Sequence, residues 1–149
     1  MCSSDLVVYR RDVHLGIAVA LENGLIVPVI PNADQKSVKE LAGSIADVAT
    51  RARSKKLAPT EVNGGTFTIT NPGQYGAQFG FPIINQPQVA ILCIGTVEKR
   101  PVVIKDELAI RLMSYLTLGF DHRLIDGSVA DEFMAEVKHG IEQFDPKAL

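Results

Sequence analysis

Cysteine is scarce in this chain, and what is missing narrows the possibilities before any motif is considered. Only Cys2 and Cys93 occur, far apart and in no C-x-x-C spacing. That excludes a disulfide framework and a zinc site, and it fits a reducing compartment. No apolar stretch approaches the roughly 20 residues that span a bilayer, and the first residues have neither the charged nor the apolar part of a signal peptide. A soluble protein that does not engage membranes is expected. No long run of either charge is present: 15 basic residues stand against 17 acidic ones for a net charge of −2, so nothing points to nucleic acid. The basic cluster Arg51, Arg53, Lys55 and Lys56 falls in the last turns of a predicted helix, where cations complement the helix dipole. Internal repeats and low-complexity tracts are lacking too.

What is present is enough for one domain. A chain of 149 residues with 46% hydrophobic content can bury a substantial core. Residues 15–21 and 25–30 read as strands joined at Glu22-Asn23-Gly24, with residues 7–10 leading in. Asn-Gly between apolar runs is a strong hairpin signal. Pro28 cannot donate a ladder hydrogen bond, so its strand belongs at an edge or a bulge. Ser37-Val38-Lys39-Glu40 has the form of a capping box and predicts a helix over 38–56, whose apolar positions include Leu41, Ile45, Val48 and Ala52.

Residues 66–71 alternate as a strand with hydroxyls along one face, and 72–81, with three glycines, predict a long loop. Further strands are expected over 88–97, 102–104 and 109–120, with Lys105-Asp106-Glu107 turning between the last two. Ser128 is expected to cap a final helix whose Ala130, Phe133, Met134, Val137, Ile141 and Phe144 form a core-packing stripe. The order of elements implies an α+β two-layer sandwich with a mixed sheet covered on one face.

The segment Asp121-His122-Arg123-Leu124-Ile125-Asp126-Gly127 sits between the last strand and the last helix. Histidine, with an unperturbed pKa of about 6.5, takes up and returns a proton near neutral pH, so His122 is the candidate general base. An acid close by can orient an imidazole, and Gly127 permits the backbone geometry of a strand-to-helix turn. An ordinary Asp-Gly turn accounts for the same residues. The position after a strand's end, within reach of solvent or a neighbouring chain, favours a working histidine.

Four blocks in order carry a resemblance: residues 23–30 (NGLIVPVI), 64–71 (GGTFTITN), 82–85 (PIIN) and 121–127 (DHRLIDG). Together they resemble the catalytic core of the dihydrolipoyl acyltransferases of 2-oxo acid dehydrogenase complexes, which is related to chloramphenicol acetyltransferase. A lone His-x-x-x-Asp-Gly is shared with peptide-synthetase condensation domains, which usually show a paired His-His where this chain has Asp121-His122. The resemblance runs from Val7 onward and covers only the later part of the family's core. It therefore implies a chloramphenicol-acetyltransferase-like fold incomplete at its N-terminus, with residues 7–149 as the C-terminal part of the catalytic domain. Cys2-Ser3-Ser4-Asp5-Leu6 reads like a translated sequencing adapter, so residues 1–6 are expected to be a non-native leader and the fragment alone to be inactive.

The resemblance implies acyl transfer, succinyl or acetyl, between a dihydrolipoyl thiol and the thiol of coenzyme A. His122 matches the family's base, Thr70 its oxyanion donor and Asp126 the residue that steadies the catalytic loop. Threonine in place of the commoner serine leans toward the succinyl branch. Coenzyme A is implied as a substrate, the lipoyl group on an upstream or partner domain, and no metal. Implied partners are two further copies in a homotrimer that builds a larger core, together with the decarboxylase/dehydrogenase and dihydrolipoyl dehydrogenase subunits. The compartment would be the bacterial cytoplasm or the mitochondrial matrix. A non-catalytic scaffold subunit and a chloramphenicol-type O-acetyltransferase are the alternatives. His14 and His139 match no functional position.

Overall fold

The structure, a computed structural model, describes residues 6–145; of the expected leader only Leu6 falls among them, and it is exposed. Residues 15–30 form four short strands, β1 (Leu15–Ile17), β2 (Val19–Leu21), β3 (Gly24–Ile26) and β4 (Val29–Ile30). The hairpin closes over Glu22-Asn23, with Leu21 opposite Gly24 at φ 137°, a backbone angle that favours glycine. Each expected strand is broken once. Ala18 still donates to the Ile69 carbonyl at 2.9 Å, but beyond it the chain leaves one sheet for a two-stranded ribbon of β2 and β3. Buried Pro28, which has no N–H to give a ladder, stands where the returning chain crosses back, and its carbonyl accepts from Ile17. Residues 7–10 form no strand.

Helix α1 (Val38–Arg53) begins at the expected capping box: Glu40 N–H donates to Ser37 Oγ at 3.3 Å and Ser37 N–H to the Glu40 carboxylate at 2.8 Å. It ends three residues short of the expected 56. The chain reverses through Lys55 at φ 57°, and Lys56 N–H returns to the Arg51 carbonyl at 2.8 Å. Arg51 joins Asp47 and Glu61 in ion pairs of 2.8 and 2.6 Å, so this cation ties the helix to the next loop.

The centre of the molecule is β5 (Phe67–Thr70) beside β6 (Ala90–Ile94), paired in parallel. β6 is buried at four of its five positions, the pattern of a strand covered on both faces. Next come β7 (Glu98–Ile104), β8 (Glu107–Met113) and β9 (Leu116–Phe120), then α2 (Gly127–Glu142). The main sheet runs β4-β1-β5-β6-β9, mixed in direction, and the α+β expectation is met.

The single long strand expected over 109–120 is instead two strands in different sheets. β8 pairs with β7 in a separate ribbon, whereas β9 pairs with β6. The break falls where Ser114 Oγ donates to the Gly95 carbonyl at 2.9 Å and Gly95 N–H to the Tyr115 carbonyl at 2.8 Å. Lys105 and Asp106, at φ 51° and 64°, form the two-residue turn of the ribbon, and Glu107 opens β8 where a three-residue turn was expected.

Two apolar stripes are less covered than their periodicity suggests. In α1 only Val48 and Ala52 are buried. In α2 only Ala130 is, while Phe133 and Ile141, and Phe144 beyond the helix end, stay exposed, so the reading of that stripe as core packing is corrected. Phe133 does reach the sheet, its ring 5.8 Å from that of Phe67. Strand alternation then leaves Thr68 and Thr70 on the opposite face of β5.

Two glycines separate space from conformation. Gly95 has no room for a Cβ, which would collide with the Gln78 carbonyl, whereas nothing lies within 4 Å of one at Gly43 inside α1. Gly95→Ala should destabilise the fold by more than about 2 kcal/mol and Gly43→Ala should stabilise it by about 0.5–1 kcal/mol, both measured by urea denaturation.

Candidate active site

β9 delivers the chain into the turn that bears the candidate base. Asp121 N–H donates to the Val89 carbonyl at 2.8 Å, extending the β6–β9 ladder by one step, and Leu124 and Ile125 N–H both return to the Asp121 carbonyl at 3.0 Å. The Asp121 side chain closes the same turn. It accepts from Arg123 N–H at 3.1 Å and grips the guanidinium through both oxygens, at 2.6–3.2 Å. That pairing holds the Asp121 carboxyl at about 2, with the Arg123 side-chain hydrogen bond as the leading cause. His122 stands between them, exposed, its ring 5.4 Å from that of Phe120 and tilted by 36°.

Asp126, not Ser128, caps α2. Its Oδ1 accepts from Val129 N–H at 2.9 Å and from Ser128 Oγ at 2.8 Å, since the chain enters the helix earlier than expected. These bonds, the Val129 one foremost, lower its pKa, and the charge of His122 contributes last. Asp126 thus orients the helix start behind the histidine, and the described hydrogen bonds include none between the two side chains.

Thr70 lies elsewhere. It is half-buried at the end of β5 and lines a cavity of about 540 Å³ with Thr68, Cys93, Asn85 and the apolar side chains of Val27, Phe81 and Ile83 among others. In register, Thr70 lies beside Cys93 and Cys93 beside Thr117, whereas Phe120 lies beside Ala90 at the other end of β6. Two strand spacings and about five residues of rise put Thr70 and His122 on the order of 15 Å apart or more. One chain therefore brings His122 and Asp126 together on one turn and keeps Thr70 at the far end of the sheet.

Sequence reasoning missed the residues behind Thr70. Thr68 is fully buried, and its Oγ1 donates to Gln88 Oε1 at 2.6 Å. The bond pins β5 to the segment entering β6. The alternation Thr66-Thr68-Thr70 was the available signal, but it could not tell which hydroxyl has a partner. Thr66 is satisfied as well, donating to the His14 carbonyl, and His14 Nδ1 accepts from Asn32 N–H at 3.1 Å, a structural role. Among the described residues no cluster of His, Cys, Asp and Glu is placed to hold a metal ion, and no helix is long and apolar enough to cross a membrane.

The family model for the 2-oxoacid dehydrogenases acyltransferase (catalytic domain) matches residues 2–149. The chain belongs to this family. It is 43% identical over 143 residues to the dihydrolipoyllysine-residue succinyltransferase component of the 2-oxoglutarate dehydrogenase complex of Bartonella vinsonii subsp. berkhoffii, covering 96% of this chain and 34% of that one. It is 47% identical over 142 residues to the dihydrolipoyllysine-residue acetyltransferase component of the pyruvate dehydrogenase complex of Mycobacterium bovis, covering 92% and 26%. The chain thus spans about a quarter to a third of the length of these relatives.

Two solved structures superpose closely on this acyltransferase fold. The cubic core of the pyruvate dehydrogenase multienzyme complex matches with a TM-score of 0.90 at 39% identity, covering 95% of this chain and 58% of that one. Azotobacter vinelandii dihydrolipoamide acetyltransferase matches with a TM-score of 0.90 at 40% identity, with the same coverage. That structure addresses a serine, a histidine and an asparagine in its catalytic mechanism, 52 and then four residues apart.

The acidic groups of the turn carry a pH signature. Asp121 is depressed in the folded state, so its stabilising contribution is complete above the ordinary aspartate pKa of 3.8 and is lost as pH falls through about 2. Arg123→Gln should move the Asp121 carboxyl back toward its ordinary range in an NMR titration. Asp126→Ala should lower the melting temperature by a few degrees, and Asp126→Asn, which keeps the cap, should lower it less.

Proposed function

We propose that this protein is a dihydrolipoyllysine-residue acyltransferase of a 2-oxo acid dehydrogenase complex, moving an acyl group between a dihydrolipoyl thiol and the thiol of coenzyme A. The observation that carries the proposal is spacing. Thr70, His122 and Asp126 lie 52 and then four residues apart, the intervals of the serine, histidine and asparagine in the Azotobacter enzyme. Threonine keeps the hydroxyl of serine, and aspartate keeps the acceptor oxygen with which asparagine caps a helix.

The chemistry follows from the groups. A thiol of pKa about 8.5 is mostly protonated at neutral pH, so its attack on a thioester needs a base. His122 takes the thiol proton as the sulfur bonds to the carbonyl carbon. The carbonyl oxygen becomes an oxyanion that receives the Thr70 hydroxyl hydrogen bond. Collapse of the tetrahedral intermediate breaks the original carbon–sulfur bond, and the departing thiolate takes the proton back from the imidazolium. No acyl-enzyme forms, and neither Cys93 nor Ser128 serves as a nucleophile. Asp126 positions the turn and moves no proton.

Thr70 and His122 are too far apart in one chain to act on one carbonyl, which supports a site assembled from two copies, the His122 turn of one facing the Thr70 cavity of the next. A homotrimer of such contacts closes on itself, and trimers then build the larger core. The multienzyme setting of the relatives supports decarboxylase/dehydrogenase and dihydrolipoyl dehydrogenase subunits as partners. A scaffold without chemistry would have no use for both the hydroxyl and the imidazole.

Acyl transfer between dihydrolipoamide and acyl-coenzyme A tests the proposal. His122→Ala should lower turnover by about 10²–10⁴-fold. Thr70→Ala should lower kcat by about 10²–10³-fold with little change in KM, and Thr70→Ser should retain most activity. When the two alanine variants are refolded together, random assembly should restore about a quarter of the sites. No recovery in the mixture would refute a site shared between copies.

A further inference from the structure

We propose that the acyl group this protein transfers is small and uncharged, an acetyl or short aliphatic acyl thioester and not a dicarboxylic half-thioester such as succinyl. The proposal rests on the reading above and narrows it. Similarity does not choose, since succinyl- and acetyl-transferring relatives both match. The lean toward succinyl drawn from threonine at position 70 is set against the following electrostatics.

If Thr70 holds the oxyanion, the rest of the acyl group lies in the cavity that Thr70 lines. Among the described residues no lysine, arginine or histidine lines that cavity. Its polar members are few and mostly committed: the Thr68 hydroxyl proton is given to Gln88, and the Cys93 thiol is a weak donor, which leaves the neutral amide of Asn85. A carboxylate taken from water into such a space without a cation is heavily penalised, whereas a methyl or short alkyl group gains from the apolar walls.

Arg100, stacked on Tyr115 beside the aromatic series that ends at Phe81, is paired with Glu98 at 2.7 Å, and other cations line other cavities. Arg53 and Lys55 line a different cavity, with Glu22 among them, on the Ala20–Leu21 side of the β2–β3 hairpin. Nor does the His122 turn that a second copy would bring supply a free cation. His122 itself must be neutral to act as a base. Arg123 beside it is clamped on both oxygens of Asp121, and Asp126 adds a negative charge that repels a carboxylate. Counting Asp121, Arg123 and Asp126, both halves of the shared site are hostile to a second carboxylate.

The test is a competition among acetyl-, isobutyryl- and succinyl-coenzyme A with dihydrolipoamide as acceptor. We expect kcat/KM for the better neutral substrate to exceed that for succinyl-coenzyme A by about tenfold or more. Ile83 lines the cavity with its side chain largely exposed, so a long cationic side chain fits there, and Ile83→Arg should shift the ratio toward succinyl by about tenfold. A wild-type ratio below tenfold overturns the acyl assignment and leaves the acyltransferase reading in place. Failure to transfer any of the three groups overturns the acyltransferase reading itself.

Discussion

The parallel pairing of β5 with β6, followed by antiparallel β9, is the constraint on which the rest of this protein depends. Parallel neighbours end at the same edge of a sheet and an antiparallel neighbour ends at the other. Thr70 closes β5 at one edge and His122 follows β9 at the opposite one. No side-chain rotation spans that distance. The chemistry proposed for the pair is therefore a property of assembled copies, each of which offers a hydroxyl at one end of its sheet and an imidazole at the other.

Within each half, neighbouring bonds keep the proposed reactive group in place without consuming it. On the histidine side, Arg123 is spent on Asp121 and the Asp126 carboxylate on the start of α2, so the turn is held from both ends while the ring stays free. On the threonine side, the buried Thr68–Gln88 bond fixes the strand two residues before Thr70. Preorganisation of this kind matters because a donor aimed in advance needs no reorganisation when charge develops on the oxygen.

Much of this was legible in the residues. The capping box at Ser37 and Glu40, the Asn-Gly hairpin and the alternation of β5 are local signals: α1 starts at its box, a hairpin closes over Glu22-Asn23, and β5 lies within the expected 66–71. The missed features depend on contacts between distant segments. Nothing in the apolar run over 109–120 announces that it changes sheets, because the break is set by Gly95, some 20 residues upstream, and by the Ser114 hydroxyl that bonds to it. The cap moved from Ser128 to Asp126 because both residues can cap a helix and only the path of the incoming chain decides between them. Matched family blocks could identify Thr70 and His122 as candidates, but their separation could be read only from the strand register.

Packing and chemistry make the same demand. On the β7–β8 ribbon, Leu108, Ile110 and Leu112 alternate onto one face and are 83%, 68% and 68% exposed. A two-stranded ribbon is at best marginally stable in water, and an apolar face of that extent marks a surface meant to be covered. Phe133 and Ile141 of α2, with Phe144 just beyond its end, repeat the pattern on the helix that begins at the His122 turn. A chain that stabilised itself alone would have turned these side chains inward, as β6 does. Because α2 is anchored at Asp126, four residues from His122, whatever covers its stripe also bears on the imidazole. In the proposed assembly, association and the orientation of the candidate base are linked through one helix.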